Sequence, residues 1–295
     1  MSSPRLALRA AAVCAAFVYA AFGCLLAACT YTGPDSAPSS SGPAAMVPLE
    51  RQVQLFLDDG AVSAVVQVRW PGGEWSRAYG VRDLASNASA QPTDRVQVAS
   101  VTKTMTAVAV LKLVDDHLIG LDDPVNDVIP GFTAALHPPG PITVRQLLGH
   151  TSGIPEVNDA LPHDVDFRPL MTQTLTMERG LQLAGTLPWP ASHVGSFAYS
   201  NTNYLALGLL VQTLRRKPFA DVMREEVFAP LGLKSTTLGH IDLHEADLLH
   251  GYVTLRGERI DTTDNTFLVG SPAAGAASTV ADLNQFMAGI FQGKA

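Results

Sequence analysis

The sequence has few cysteines, and none of them lies beyond residue 29. The three are Cys14, Cys24 and Cys29, in a chain of 295 residues. A folded part that follows residue 29 therefore has no disulfide, no cysteine nucleophile and no thiolate metal site available to it.

Charged residues, and basic ones in particular, are also few. Charged residues make up 16% of the chain, and acidic residues outnumber basic ones by 27 to 20. No basic cluster stands out, which argues against a nucleic-acid partner. His240 and His244 have an i, i+4 spacing, but His244-Glu245 is not followed by the second histidine of an H-E-x-x-H zinc motif. We therefore expect neither a metal nor another cofactor.

The amino terminus, by contrast, carries a strong signal. Arg5 and Arg9 precede an apolar run from Ala10 to Ala28, which is typical of a secretory signal peptide over residues 1–28. Its ending, Leu26-Ala27-Ala28-Cys29, resembles a bacterial lipobox, and this resemblance makes Cys29 the lipidation site. The alternatives are an ordinary signal peptide or an uncleaved anchor helix, because the run is near the spanning minimum of about 18 residues. In each case the remainder is extracytoplasmic, and the lipobox predicts a lipid anchor at the cell membrane.

A compositional change separates this leader from the rest. Residues 29–48 are rich in Pro, Ser, Gly and Ala, which predicts a flexible linker. Residues 49–295 are long enough for one large domain or a domain with an inserted lobe.

The pair Ser100 and Lys103 is the first candidate for chemistry. A short β-rich stretch precedes it, and apolar residues at helical period follow it as far as Val114. At i and i+3 of a helix, Lys103 can reach the hydroxyl of Ser100, and a serine hydroxyl needs such a neighbour to become a good nucleophile. Unpaired N–H groups at a helix start also favour negative charge there. The alternative is that Ser100 is an N-cap and Lys103 a solvated first-turn residue.

Further motifs follow in a fixed order. They are Gly120-Leu121-Asp122-Asp123-Pro124, Leu147-Leu148-Gly149-His150-Thr151-Ser152-Gly153-Ile154-Pro155, Tyr199-Ser200-Asn201, Pro230-Leu231-Gly232-Leu233 and Gly251-Tyr252. With Ser100-x-x-Lys103, this succession resembles the penicillin-recognising serine hydrolases: class C β-lactamases, D-alanyl-D-alanine carboxypeptidases and related esterases.

The resemblance implies a role for each site residue. Ser100 would be the acylated nucleophile, Lys103 would help to take its proton, and Tyr199 would act as general base. A tyrosine with an ordinary pKa near 10 can do so near neutrality only if cations stabilise its phenolate. Asn201 would bind the lysine and the substrate. The alternative for Tyr199 is a buried ring whose hydroxyl is hydrogen-bonded. The segment from His150 to Gly153 is interpreted as structural support for the lobe beside the site.

The resemblance also implies an α+β fold of the β-lactamase/transpeptidase type. In it an antiparallel sheet is flanked by helices and carries a helical lobe, to which residues 158–190 would belong. The family's third motif, Lys-Thr-Gly or His-x-Gly, does not occur after Tyr199. We therefore expect a chain truncated at its C-terminus that lacks the late strands. The strands near Gln52–Val81 should then show an unpaired edge and an uncovered apolar face.

Local patterns predict several elements. They are a hairpin turn at Pro71-Gly72-Gly73, a helix over Val144–Gly149 capped by Thr143, and helices over Tyr204–Leu214, Phe219–Phe228 and about Val280–Phe291.

Two functions remain open. One is a serine hydrolase that forms an acyl-enzyme on Ser100 and acts on D-Ala-D-Ala peptides, β-lactams or esters, with a small molecule or cell-wall peptide as its substrate. The other is a non-catalytic envelope lipoprotein, or an inactive fragment, that lacks the third motif.

Overall fold

The computed structural model describes residues 42–161, 166–190, 194–239 and 245–294. The signal peptide predicted over residues 1–28, the lipidation site Cys29, and His240 and His244 lie outside the described residues. Gly42 onwards forms one compact unit. No helix in the described ranges has the length and apolar character needed to cross a membrane.

The described residues form a helix and four strands, then a run of helices, and finally four more strands and a last helix. The α-helices are α1 (Gly42–Asp58), α2 (Thr102–Asp115), α3 (Phe132–Leu136), α4 (Val144–Leu148), α5 (Arg168–Met171), α6 (Met177–Ala184), α7 (Asn201–Arg215), α8 (Phe219–Val222) and α9 (Val280–Phe291). The strands are β1 (Ser63–Trp70), β2 (Gly73–Asp83), β3 (Ala88–Ser89), β4 (Val96–Gln97), β5 (Thr237–Leu238), β6 (Tyr252–Leu255), β7 (Glu258–Asp261) and β8 (Ala276–Ser278). Two 3-10 helices, Ala99–Val101 and Val157–Ala160, and a π-helix, Met223–Phe228, complete the set.

Helix α1 begins earlier than the sequence suggests. The predicted linker, residues 29–48, overlaps its first turns, so the chain from Gly42 to Pro48 is helical and not a flexible linker. Ala44, Ala45 and Met46 are good helix formers. The later turns bury Val53 and bring Glu50 to the hydroxyl of Tyr79 in β2, at 3.2 Å.

The first sheet has the order β1-β2-β3, and its strands are antiparallel. β1 and β2 form a hairpin at the predicted turn, where Gly72 has φ +92°. Among the described residues β1 pairs with β2 alone, so the predicted unpaired edge is present there.

The predicted uncovered apolar face is wrong. Residues 63–68 of β1 are all partly buried, and alternate residues of a strand point to opposite faces, so both faces have cover. Helix α1 contacts β2, and helix α9 contacts β1, where Asn284 Nδ2 donates to Gln67 Oε1 at 2.9 Å.

The second sheet has the order β4-β8-β5 and the third is the hairpin β6-β7. β8 is the central strand of the second sheet and pairs antiparallel with both neighbours. Since β4 leads directly into Ser100, this sheet ties the late part of the chain to the candidate nucleophile.

The core lies between α2 and α7. Residues 202–211 of α7 are buried without interruption, and Met105, Val110 and Leu113 of α2 are fully buried. The two helices contact each other along this core, which brings their N-terminal ends, Lys103 and Asn201, together.

Gly208 allows the segment before β8 to approach α7. A Cβ atom at this position would lie 2.1 Å from Pro272 Cγ and 2.7 Å from Met177 Sδ. The carbonyl of Pro272 accepts a hydrogen bond from Thr106 Oγ1 at 2.8 Å. A side chain at position 208 would therefore push this segment away from α2 as well.

We predict that Gly208→Ala lowers the free energy of unfolding by about 1–3 kcal/mol, the usual cost of overpacking. Alanine ordinarily favours a helix over glycine by up to about 1 kcal/mol, so a loss identifies the close approach to Pro272. Urea unfolding measures the change. Gly140→Ala is the control, because nothing lies within 4 Å of a Cβ there. Equal stability of the two variants would contradict the prediction.

Candidate active site

Ser100 lies at a sharp turn between strand and helix. β4 ends at Gln97, Ala99 adopts a left-handed conformation with φ +46°, and α2 begins at Thr102. A positive φ is uncommon for alanine and costs energy. The main-chain N–H of Ala276, in β8, donates to Thr102 Oγ1 at 3.1 Å and fixes the turn to the second sheet. Ser100 therefore sits at the start of a helix, as the sequence predicts, and is partly exposed.

The Ser100 hydroxyl is in contact with both predicted partners. Its Oγ lies 2.8 Å from the hydroxyl of Tyr199 and 3.2 Å from Lys103 Nζ. Tyr199 is 45% exposed, so the alternative of a buried ring is wrong. The solvated-lysine alternative is wrong too, because Lys103 is 5% exposed.

The Lys103 ammonium is held in a polar cage. Its Nζ donates to Asn201 Oδ1 at 2.7 Å and to the carbonyl of Ala273 at 2.8 Å. It also lies 4.9 Å from the centre of the Tyr199 ring. Burial lowers the pKa of Lys103 to about 7, while the negative charge of Glu156 acts to raise it. Near neutrality this lysine can therefore take up or release a proton.

His150 supports Tyr199 from behind. The two rings stack with centroids 4.5 Å apart and an interplanar angle of 26°. Ser200 N and Asn203 Nδ2 both lie 3.2 Å from His150 Nδ1, so Nδ1 accepts and the ring proton is on Nε2. Burial, with the charge of Lys103, lowers the pKa of His150 to about 4. This neutral, stacked ring fits the predicted structural role.

A second tyrosine near the site has a different environment. Tyr204 is buried and its hydroxyl donates to the carbonyl of Leu148 at 3.2 Å. Burial, reinforced by Tyr199, raises the pKa of Tyr204 to about 12. It cannot supply a phenolate near neutrality, and Tyr199 is the tyrosine in contact with Ser100.

Sequence reasoning missed three contributors to the site. The carbonyls of Ala273 and Pro272 receive bonds from α2, and a main-chain acceptor leaves no signal in a sequence. Glu156 binds Asn201 with both carboxylate oxygens, through the main-chain N–H at 2.5 Å and Nδ2 at 2.9 Å. Its only signal is an acidic residue directly after the motif that ends in Pro155.

Asp83, His250 and Asp261 form a separate cluster whose ligand-type atoms lie within 4.8 Å of one another. His250 Nδ1 lies 2.7 Å from Asp261 Oδ2 and 3.7 Å from Asp83 Oδ1. The carboxylates also accept bonds from neighbouring main-chain N–H groups, at Ala85, Ser86 and Thr263. These bonds account for the cluster as a junction between the end of β2 and the β6-β7 hairpin.

We predict that His150 makes the fold sensitive to acid. The pKa of His150 is about 4 in the folded chain, below the value of 6.5 for a solvated histidine in the unfolded chain. The unfolded chain therefore binds a proton first, and stability is lost as the pH falls from about 6.5 to about 4. Urea unfolding should show a shallower loss across this range for His150→Asn. His137→Asn is the control, since both positions have a positive φ and His137 is exposed. The same slope in His150→Asn and the parent would refute this.

Known proteins share this fold. D-amino acid amidase from Ochrobactrum anthropi SV3, complexed with L-phenylalanine, superposes with a TM-score of 0.70 and 25% identity, covering 83% of this chain and 72% of the amidase. This likeness confirms the predicted α+β fold class of the β-lactamase/transpeptidase type.

Two known proteins are also similar to this chain in sequence. Protein flp from Staphylococcus aureus (strain MW2) is 26% identical over 216 residues, which are 72% of this chain and 42% of that protein. D-alanyl-D-alanine-carboxypeptidase/endopeptidase AmpH from Escherichia coli (strain K12) is 30% identical over 187 residues, 62% of this chain and 47% of AmpH. The chain thus spans less than half the length of these relatives. The family described as Beta-lactamase matches residues 49–295, and the chain belongs to this family.

Proposed function

We propose that this chain is a serine hydrolase that forms an acyl-enzyme on Ser100. The observation that carries the proposal is the geometry at Ser100 Oγ, which lies within 2.8 Å of Tyr199 OH and 3.2 Å of Lys103 Nζ. A nucleophile within hydrogen-bond reach of a base, with that base held by further groups, is the arrangement of covalent catalysis.

In the acylation step, Ser100 Oγ bonds to the substrate's carbonyl carbon and its proton passes to the Tyr199–Lys103 pair. The carbonyl oxygen gains negative charge, which the positive end of the α2 helix dipole would favour. The pair then protonates the leaving group as the carbonyl carbon releases it. A water oxygen then bonds to the carbonyl carbon of the acyl-enzyme and gives its proton to the Tyr199–Lys103 pair. The pair returns a proton to Ser100 Oγ as the bond from Oγ to the carbonyl carbon breaks.

Lys103 has the protonation behaviour that this step requires. With a pKa of about 7, the lysine exchanges a proton with little cost near neutral pH, where acid–base catalysis is most effective. Asn201 Oδ1 and the Ala273 carbonyl hold its nitrogen at the nucleophile in either state.

The proposed substrates are D-Ala-D-Ala peptides, β-lactams or esters. AmpH is named as a carboxypeptidase and endopeptidase, and the O. anthropi protein as an amidase, which supports an amide or peptide carbonyl.

The test is covalent labelling of the purified full-length chain by a fluorescent penicillin and by a fluorophosphonate. We expect an adduct that mass spectrometry places on Ser100, absent from Ser100→Ala and retained by Ser86→Ala, whose serine is exposed. A folded parent chain without an adduct would overturn the proposed function.

We further propose that the chain is a lipoprotein anchored through Cys29 outside the cytoplasmic membrane. The support is the sequence Leu26-Ala27-Ala28-Cys29 after an apolar run. In bacteria fed with a palmitate analogue, the parent chain and Cys24→Ser should carry label, and Cys29→Ser should not. Label on Cys29→Ser, or none on the parent, would overturn this proposal.

A further inference from the structure

We propose that Glu156 is a positioning residue for acylation, which fixes Asn201 so that its amide oxygen faces Lys103. This inference rests on the proposed function, in which Asn201 holds the lysine beside the nucleophile. Glu156 bonds to Asn201 with both of its carboxylate oxygens, so it would act through Asn201.

The hydrogen bonds leave Asn201 one orientation. Glu156 Oε1 accepts from Asn201 Nδ2 at 2.9 Å, and Asn201 Oδ1 accepts from Lys103 Nζ at 2.7 Å. A carboxylate can only accept and an ammonium can only donate. A flipped amide would face an acceptor with its oxygen and a donor with its nitrogen, and both bonds would be lost.

Glu156 also replaces the missing cap of α7. The helix begins at Asn201, and its N-cap residue Ser200 makes no side-chain capping bond. The Ser200 hydroxyl donates to the carbonyl of Pro155 at 3.3 Å. Glu156 Oε2 instead accepts the Asn201 main-chain N–H, and a negative charge at a helix N-terminus is favourable.

A simpler role would be to cap the 3-10 helix Val157–Ala160. Glu156 does so through one bond, from Asn158 N to Oε1 at 3.0 Å. That role accounts for neither of its bonds to Asn201. The neighbouring residues point the same way, because Val157 N donates to Thr202 Oγ1 at 2.9 Å and joins the two segments further.

The charge of Glu156 has a second effect. Asn201 bonds to both Lys103 and Glu156, so the carboxylate acts on the ammonium across the amide. It opposes the effect of burial and holds the pKa of Lys103 higher than it would otherwise be. Loss of the charge and loss of the orientation therefore have separate consequences for catalysis.

Glu156→Gln tests both consequences in the full-length chain. Each oxygen of the Glu156 carboxylate accepts one bond from Asn201. A glutamine side chain has a single oxygen, so at least one of these two bonds is lost. We expect the plateau rate of acylation by a fluorescent penicillin to fall about 10- to 100-fold, as for a displaced catalytic group. The acid limb of the rate–pH profile should also move to lower pH, because the pKa of Lys103 falls. Glu178→Gln, at an exposed glutamate in α6, should leave rate and profile unchanged.

A double-mutant cycle separates positioning from general stability. If Glu156 acts through Asn201, then Glu156→Gln should change the plateau rate of acylation less than about twofold in an Asn201→Ala background. An equal loss in both backgrounds, or an unchanged rate and profile in Glu156→Gln alone, would overturn the inference.

A readout without activity keeps the two proposals distinct. Hydrogen exchange of the Asn201 main-chain and side-chain amides, followed by NMR, should be faster in Glu156→Gln than in Glu178→Gln. If the parent chain forms no adduct, the proposed function fails, and slow exchange that depends on Glu156 would still support the positioning of Asn201. Exchange independent of Glu156 would refute that positioning.

Discussion

The burial of the Lys103 ammonium is the constraint on which the rest of the site depends. Lys103 is only 5% exposed, and burying a charged group costs free energy unless its N–H donors are hydrogen-bonded. Here the satisfying groups come from three separate parts of the chain: Ser100 in the turn before α2, Asn201 at the start of α7, and the carbonyl of Ala273 before β8. The packing of α2 against α7, and of the segment before β8 against both, brings these acceptors together.

A second layer fixes the groups that surround the lysine. Residues 150–157 run along residues 199–203 and bond to them repeatedly, through His150, Ser152, Pro155, Glu156 and Val157. This layer stacks His150 on Tyr199 and binds Asn201 through Glu156. The segment around His150 thus supports Tyr199 and Asn201.

Much of the structure could be predicted from local patterns. The spacing of Ser100 and Lys103 places both on one face of a helix start, and Thr143 forms a capping box at α4. The helix predicted at about Val280–Phe291 has those bounds. These features depend on residues close in sequence, where side-chain period and capping chemistry decide the outcome.

Features that depend on distant contacts could not be predicted. The cover that α1 and α9 give to the first sheet comes from tertiary packing. The helix predicted over Phe219–Phe228 is α-helical only to Val222 and π-helical from Met223. The contributions of Ala273 and Glu156 arise because the chain brings segments together that are far apart in sequence. Roles in the site were inferred from a resemblance, and the geometry adds the distances and the charges.

The protonation of Lys103 in the parent chain tests the central claim most directly. Selective 13C labelling of lysine, with Lys103→Arg to assign the signal, allows an NMR titration of this one side chain. The account predicts a midpoint near pH 7, because burial outweighs the charge of Glu156. A midpoint near 10.5, the value of a solvated lysine, would contradict the buried cage and the acid–base role that rests on it.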